Sequence, residues 1–327
     1  MPLLPLPLAF AAAQFAFSAV VLVVYSIGAL ASRKVRVSKG LSERASSHTE
    51  AQGHQGGVLA TFAAQAVLKL VLAEGDKAAA AVLLSNQGAL GVYALASGVG
   101  SLAVRTVLAP FEEAAFFAFT RCRKKGEVDV LRATLLRVLL LAGIFCCGMS
   151  PSYAYVVLRG LYGAAWAQAD VVRALAAFGP LFALLAVNGI LEAAADADGS
   201  ALQLRQRLIV LVASAVVQAV VGALLVRSYG PTALVMGNIA GYCLRIAAQG
   251  GLRRCTAVLP SLPTVLVLAT LSVAAAASDF ILQRSSTFWR SAGLHCAVGI
   301  VLAVCFVGAV ARWDGEALRE SFKASRD

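Results

Sequence analysis

The sequence predicts an all-α membrane protein of about nine transmembrane helices, and three observations predict it. The first is composition. Of 327 residues, 60% are hydrophobic and 14% charged, with a mean hydropathy of +0.80, where a soluble domain averages roughly 45–50% apolar and about 25% charged. There are too few polar side chains to coat a water-soluble surface, and too many apolar ones for a disordered chain. The second is length of run: a membrane helix needs about 20 apolar residues, and nine segments meet that need. The third is where the basic residues fall. The loops 33–57, 121–125, 205–207 and 253–254 and the tail 312–326 hold 17 Lys and Arg, against 5 (Lys77, Arg159, Arg227, Arg284, Arg290) on the alternating side. That bias marks the rich side as cytoplasmic. It also accounts for the net charge of +11 without a nucleic-acid partner.

Taken in order, residues 7–32 form a first span, and 1–32 is read as one transmembrane unit. Residues 33–57 are basic and rich in Ser, Gly and Gln, as a flexible cytoplasmic loop is. Its His48 and His54 have no neighbours that would complete a metal site. Residues 58–312 are read as an eight-helix bundle and 313–327 as a cytoplasmic tail. The stretch 58–84 is interrupted by Glu74-Gly75-Asp76-Lys77. It is either a broken membrane helix lining a polar cavity or a short helix followed by a loop. The stretch 89–121 is too long for one straight span, since 33 residues rise about 50 Å, and Pro110 should kink it. The remaining spans are 130–150, 171–195, 204–226, 231–251, 262–282 and 290–312. With the tail inside, nine spans start Met1 on the opposite face, so the sequence is expected to lack an odd number of upstream spans.

Ionisable residues inside spans are the informative ones, because each costs about 2.5–3.5 kcal/mol near a helix centre and therefore faces a partner or cavity. Arg132, Arg137 and Arg173 lie near span ends and are read as snorkelling to headgroups. Lys69, Glu74, Arg105, Glu112, Glu113, Glu192 and Arg245 remain. Asn188 lies four residues before Glu192, and Asn238 seven before Arg245, each pair on one helical face. Arg105 and Glu112 are also seven apart, about 10 Å along a helix, too far to bridge directly. Together these residues predict a polar interior suited to an anionic, hydroxyl-rich headgroup: cations for phosphate, carboxylates and amides for sugar hydroxyls. The competing reading is inter-helix ion pairing that fixes the packing.

Catalytic signatures are absent from the sequence: no GxSxG, HExxH, phosphate-binding loop or CxxC occurs. Neither an enzyme nor a cofactor or metal site is expected. The seven cysteines are scattered and read as packing residues. The spacing Gly237-Asn238-Ile239-Ala240-Gly241 reads as close helix contact, and His295 as a satisfied histidine in an apolar span.

Residues 65–121 resemble the signature region of the RFT1 family, the endoplasmic-reticulum oligosaccharide-lipid translocation proteins. The matching residues are Leu68-Lys69, Glu74-Gly75-Asp76-Lys77, Gln87-Gly88, Tyr93, Gly100-Ser101-Leu102, Arg105 and Pro110-Phe111-Glu112-Glu113. Asn188-Gly189 with Glu192, and Asn238 with Arg245, are weaker echoes of the same family. Ala94, Ala96, Ser97 and Gly98 stand where the family pattern has Asp and Asn.

The resemblance implies one lobe plus flanking helices of a two-lobe transporter of the multidrug/oligosaccharidyl-lipid/polysaccharide exporter type, the chain corresponding to the last nine of about fourteen spans. It implies a multi-pass protein of the endoplasmic-reticulum membrane. The implied partner is dolichol-diphosphate Man5GlcNAc2, moved from the cytosolic to the lumenal leaflet for N-linked glycosylation. Lipids of that membrane and glycosylation enzymes are the further partners implied. The expected substrate-binding set is Lys69, Glu74, Arg105, Glu112, Glu113, Asn188, Glu192, Asn238 and Arg245. The alternatives are a cation-coupled exporter of the same superfamily, a non-transporting scaffold for glycosylation enzymes, and a non-functional partial product.

Overall fold

A computed structural model describes residues 67–68, 75, 77–84, 86–122, 125–198, 201–285 and 287–324, with side chains omitted at a few helix ends. The chain divides into Met1–Leu59 and Ala60–Asp327, and every described residue belongs to the second unit. The spans expected at 7–32 and most of 58–84 lie outside the described residues, as does the 33–57 loop.

Among the described residues no strand occurs. The helices are α1 (Gln87–Ala103), a π-helical turn (Val104–Leu108), α2 (Ala109–Arg121), α3 (Lys125–Tyr162), α4 (Ala169–Ala176), α5 (Phe178–Asp198), α6 (Ala201–Tyr229), α7 (Thr232–Ala248), α8 (Gly251–Thr256), α9 (Leu262–Arg284), α10 (Phe288–Trp313) and α11 (Gly315–Ala324). Six stretches are long and apolar enough to cross a membrane. They are Gln87–Arg121, Gly126–Tyr162, Ala169–Ala197, Gln206–Tyr229, Leu262–Arg284 and Phe288–Trp313, with Thr232–Ala248 a shorter apolar helix. These match the seven spans expected after residue 87, and the all-α membrane class holds. Large apolar side chains such as Ile209, Leu224, Leu266, Val273, Ile300 and Val304 point outward. Lipid accepts such a surface and water does not.

Several boundaries differ from the sequence reading. The span expected to stop at 150 runs on to Tyr162, straight through Pro151. Pro151 cannot donate to the carbonyl a turn earlier. The Ser150 hydroxyl lies 3.5 Å from that carbonyl, at Cys147, and donates at 2.8 Å to the Ala176 carbonyl, so it anchors α4 beside the break. The span expected over 231–251 ends sooner, because Gly250 turns into the left-handed region (φ 66°) before α8. The tail contains the helix α11.

At Pro110, where a kink or an end of the straight part is expected, the helix is irregular. The segment Gln87–Arg121 stays helical, and the disturbance appears upstream as the π-helical turn, with the Ala109 N–H donating to Val104 O. An α-helix would need a Pro110 N–H to donate to the Thr106 carbonyl and would press the ring against it. Widening by one residue relieves both problems, as π-bulges do.

α5 is the hub. The membrane-length stretch that it forms with α4, Ala169–Ala197, is 56% buried, against 17–28% for the other five. It packs on α2, α3 and α7, with Leu108, Leu136, Leu139, Ile190 and Leu191 in the shared core. Small residues permit the approach: a Cβ on Gly143 of α3 would lie 2.8 Å from Ala183 of α5. The other side of α3 receives the α9–α10 pair through Leu141, Met149, Leu268, Leu302 and Phe306. α6 and α7 form the closest pair, the GxxxG surface of α7 meeting α6 backbone: a Cβ on Gly237 would lie 2.5 Å from Gln218 O. His295 is buried and satisfied as expected, with Nδ1 2.8 Å from Ser278 Oγ and Nε2 3.0 Å from Ser152 O. A carbonyl only accepts, so Nε2 must carry hydrogen.

Candidate functional site

Two of the sequence blocks singled out above meet inside the bundle. Glu112 lies on the first turn of α2 and Asn188-Gly189 in the middle of α5. The Glu112 carboxylate occupies the place a side chain at position 189 would take: a Cβ there would lie 2.0 Å from Oε1. Asn188, only 5% exposed, donates from Nδ2 to Glu192 Oε1 at 3.0 Å. Its Oδ1 accepts from Gln249 Nε2 at 3.2 Å. Gln249 follows α7 directly. A polar path therefore runs from α5 to the end of α7, with the Glu112 carboxylate of α2 against the neighbouring Gly189. One atom on it has no partner among the described residues: Gln249 Oε1 is buried with no hydrogen-bond donor there.

The other expected site residues divide. Arg245 is half-buried, donates from Nε to Ser214 Oγ at 2.7 Å and lies 4.7 Å from the Tyr242 ring centre. It ties α7 to α6. Asn238 is half-buried two turns earlier on α7. Arg105 and Glu113 are exposed, Arg105 within the π-turn. Lys69 and Glu74 lie outside the described residues.

The polar path opens into a cavity of about 640 Å³ at the end of the bundle where α2, α5 and α7 finish and α3 and α6 begin. Its polar lining comes chiefly from Asp129, Arg132, Arg207, Gln249 and Arg254. Arg132 pairs with Asp129 one turn away. Arg207 pairs with Asp196 across the α5–α6 connection and reaches Glu192 O at 3.4 Å. Arg254 on α8 donates from Nη1 to Gln249 O at 2.9 Å. Burial, and then the nearby Arg132 guanidinium, pull the Arg254 guanidinium below its ordinary value. It remains charged, as arginine does in proteins.

Sequence reasoning sets Arg132 aside as a snorkelling residue and counts Arg207 and Arg254 as loop charge. The structure lines one cavity with all three. The only sequence signal available is the spacing of Asp129 and Arg132, an i,i+3 pair of opposite charge. Gln249 carries none. Among the described residues no group of three His, Cys, Asp or Glu side chains is placed to hold a metal ion.

A profile of the Rft-1 family, described as Rft protein, matches residues 6–324. The Man(5)GlcNAc(2)-PP-dolichol translocation protein RFT1 of Yarrowia lipolytica is 30% identical over 256 residues, 71% of this chain and 38% of its own length. The proteins of the same name from Schizosaccharomyces pombe and Drosophila melanogaster are 29% and 26% identical, over 58% and 57% of this chain and 37% and 36% of theirs. The chain thus spans well under half the length of these curated relatives. No solved structure matches it. With a profile match over nearly its whole length, and with relatives of one name in yeasts and an insect, the chain belongs to the Rft protein family.

Proposed function

We propose that this chain serves in translocating Man5GlcNAc2-PP-dolichol, the compound its relatives are named for, from the cytosolic to the lumenal leaflet of the endoplasmic-reticulum membrane. The observation that carries the reading is the Glu112 carboxylate lying against Gly189 on the helix that holds the Asn188–Glu192 hydrogen bond. Carboxylates and amides bind sugar hydroxyls, and holding them in an apolar bundle is expensive without a ligand or one another to satisfy them. Glu112, Asn188 and Glu192 are the candidates for sugar contact, and Gln249 extends them toward the cavity. The polyisoprenoid stays in lipid. Lys69, Arg105, Arg245, Glu74, Glu113 and Asn238 remain in the proposed set on the strength of the sequence pattern. The basic loops support a cytoplasmic position for the cavity end and the tail.

The test is complementation. The chain replaces the matching segment of the Yarrowia relative in a host lacking its own copy, and glycan occupancy of a secreted reporter is read. The parental chimera restores occupancy. Glu112→Lys, Glu113→Lys and Arg105→Ala, at equal expression, abolish rescue. Full rescue by all three overturns the site assignment, and no rescue by a well-expressed parental chimera overturns the function.

A further inference from the structure

We infer that the cavity between α2, α3, α5, α6 and α8 is a binding site for a phosphate-bearing group, gripped by Arg132, Arg207 and Arg254. Three guanidinium groups from three separate helices line one opening. Asp129 and Asp196 pair with Arg132 and Arg207, while Arg254 makes no ion pair among the described residues. The exposed Arg254 guanidinium donates to a neutral carbonyl and lies near both Arg132 and Asp129. Gathering like charges in one place is unfavourable, and an anion set among them offsets the repulsion. The planar guanidinium fork suits phosphate oxygens.

The volume, about 640 Å³, lies within the ~300–1,000 Å³ range of small-molecule sites.

One counter-ion, Asp129, is displaceable. Asp129 is 65% exposed, and its pair with Arg132 spans one turn of a single helix. Such pairs hold only weakly, so Arg132 can turn to a phosphate while Asp129 returns to water. The translocation reading enters only in naming which phosphate compound fills the site; the phosphate chemistry rests on the cavity itself.

The experiment uses the chain in nanodiscs of phosphatidylcholine, titrated with inorganic pyrophosphate at constant ionic strength and followed by calorimetry. A second arm uses nanodiscs containing phosphatidic acid, which separates a lipid phosphate from a free one. Saturable pyrophosphate binding, or its loss by competition in the phosphatidic-acid discs, supports the site. Arg254→Gln should then weaken binding by on the order of tenfold or more. If that variant folds poorly, the double variant Asp129→Asn with Arg132→Gln removes one pair as a unit and should weaken binding similarly. Binding no tighter than chloride in both arms, or unaltered in well-folded variants, overturns the inference. Pyrophosphate binding that persists while the complementation chimera fails refutes the translocation reading and leaves the phosphate site standing.

Discussion

The Glu112 carboxylate stands where Gly189 would carry a side chain. The contact makes position 189 a test of whether α2 and α5 are held at this distance. Gly189→Ala forces Oε1 from 2.0 Å to an ordinary contact, and overpacking of this kind costs about 1–3 kcal/mol. The thermal midpoint of the purified chain should fall accordingly. In a Glu112→Ala background the same substitution should cost little, because the clashing atoms are gone. A double-mutant cycle reads the coupling, and additive effects would mean that the two helices do not meet here.

How far the site is legible in the sequence depends on whether its parts lie on one helix. Asn188 and Glu192, four apart, declare their pairing in the sequence, and the bond is there at 3.0 Å. Glu112 and Gly189 lie 77 residues apart, and only the fold shows that one fills the gap left by the other. Arg105 and Glu112 share a face if two regular turns separate them, but the π-turn between them adds a residue to one turn and changes that register. Arg132 illustrates the opposite error. A basic residue near a span end resembles a headgroup anchor, and nothing local distinguishes that from a cavity wall built by α5, α6 and α8. The fold class is easier, because hydropathy depends on composition along the chain and needs no long-range pairing.

The π-turn makes Pro110 a second test. Pro110→Ala returns the missing N–H and removes the ring, so Val104–Leu108 can close into α-helix. The expected change is a gain of roughly 1–3 kcal/mol in stability, seen as a higher thermal midpoint. Removing one residue from the turn rotates α1 by about 100° against α2. Arg105 and Glu112 then lose their mutual orientation, and the reporter-occupancy assay should fall despite the stabler helix. A variant unchanged in both measurements would show that the turn owes nothing to the proline.

Asp314 anchors the end of α10 to the start of α9. Its carboxylate accepts from Ser261 N at 2.9 Å, Ser261 Oγ at 3.1 Å and Thr264 Oγ1 at 2.5 Å, and it is 5% exposed. The arrangement caps α9 from another helix. Asp314→Ala leaves those donors unmatched at a cost of about 1–3 kcal/mol. Because α11 comes next and packs on α3 through Leu318, its docking should loosen too. Limited trypsin digestion at Arg319 should accelerate about tenfold or more, with Asp314→Asn intermediate. An unaltered digestion rate would show that α11 is held independently of Asp314.

Cys122 ends α2 and lines the cavity, its thiol 3.4 Å from Ala118 O. Burial, and then the Glu127 carboxylate, push that thiol above its ordinary value. Only the thiolate reacts with maleimide. In a chain with Cys122 as its sole cysteine, alkylation at pH 7 should therefore be slower than for a free thiol. It should rise about tenfold per pH unit while the thiol stays mostly protonated. Glu127→Gln removes a charge that disfavours the thiolate, so it lowers the titration point and speeds alkylation at pH 7. Pyrophosphate in the cavity should slow it, by covering the sulfur. In sealed microsomes a membrane-impermeant maleimide should reach Cys122 from the cytosolic face, the side the basic loops assign. Labelling only after the membrane is opened would invert that topology, and equal rates for the parent and Glu127→Gln would separate Glu127 from the thiol.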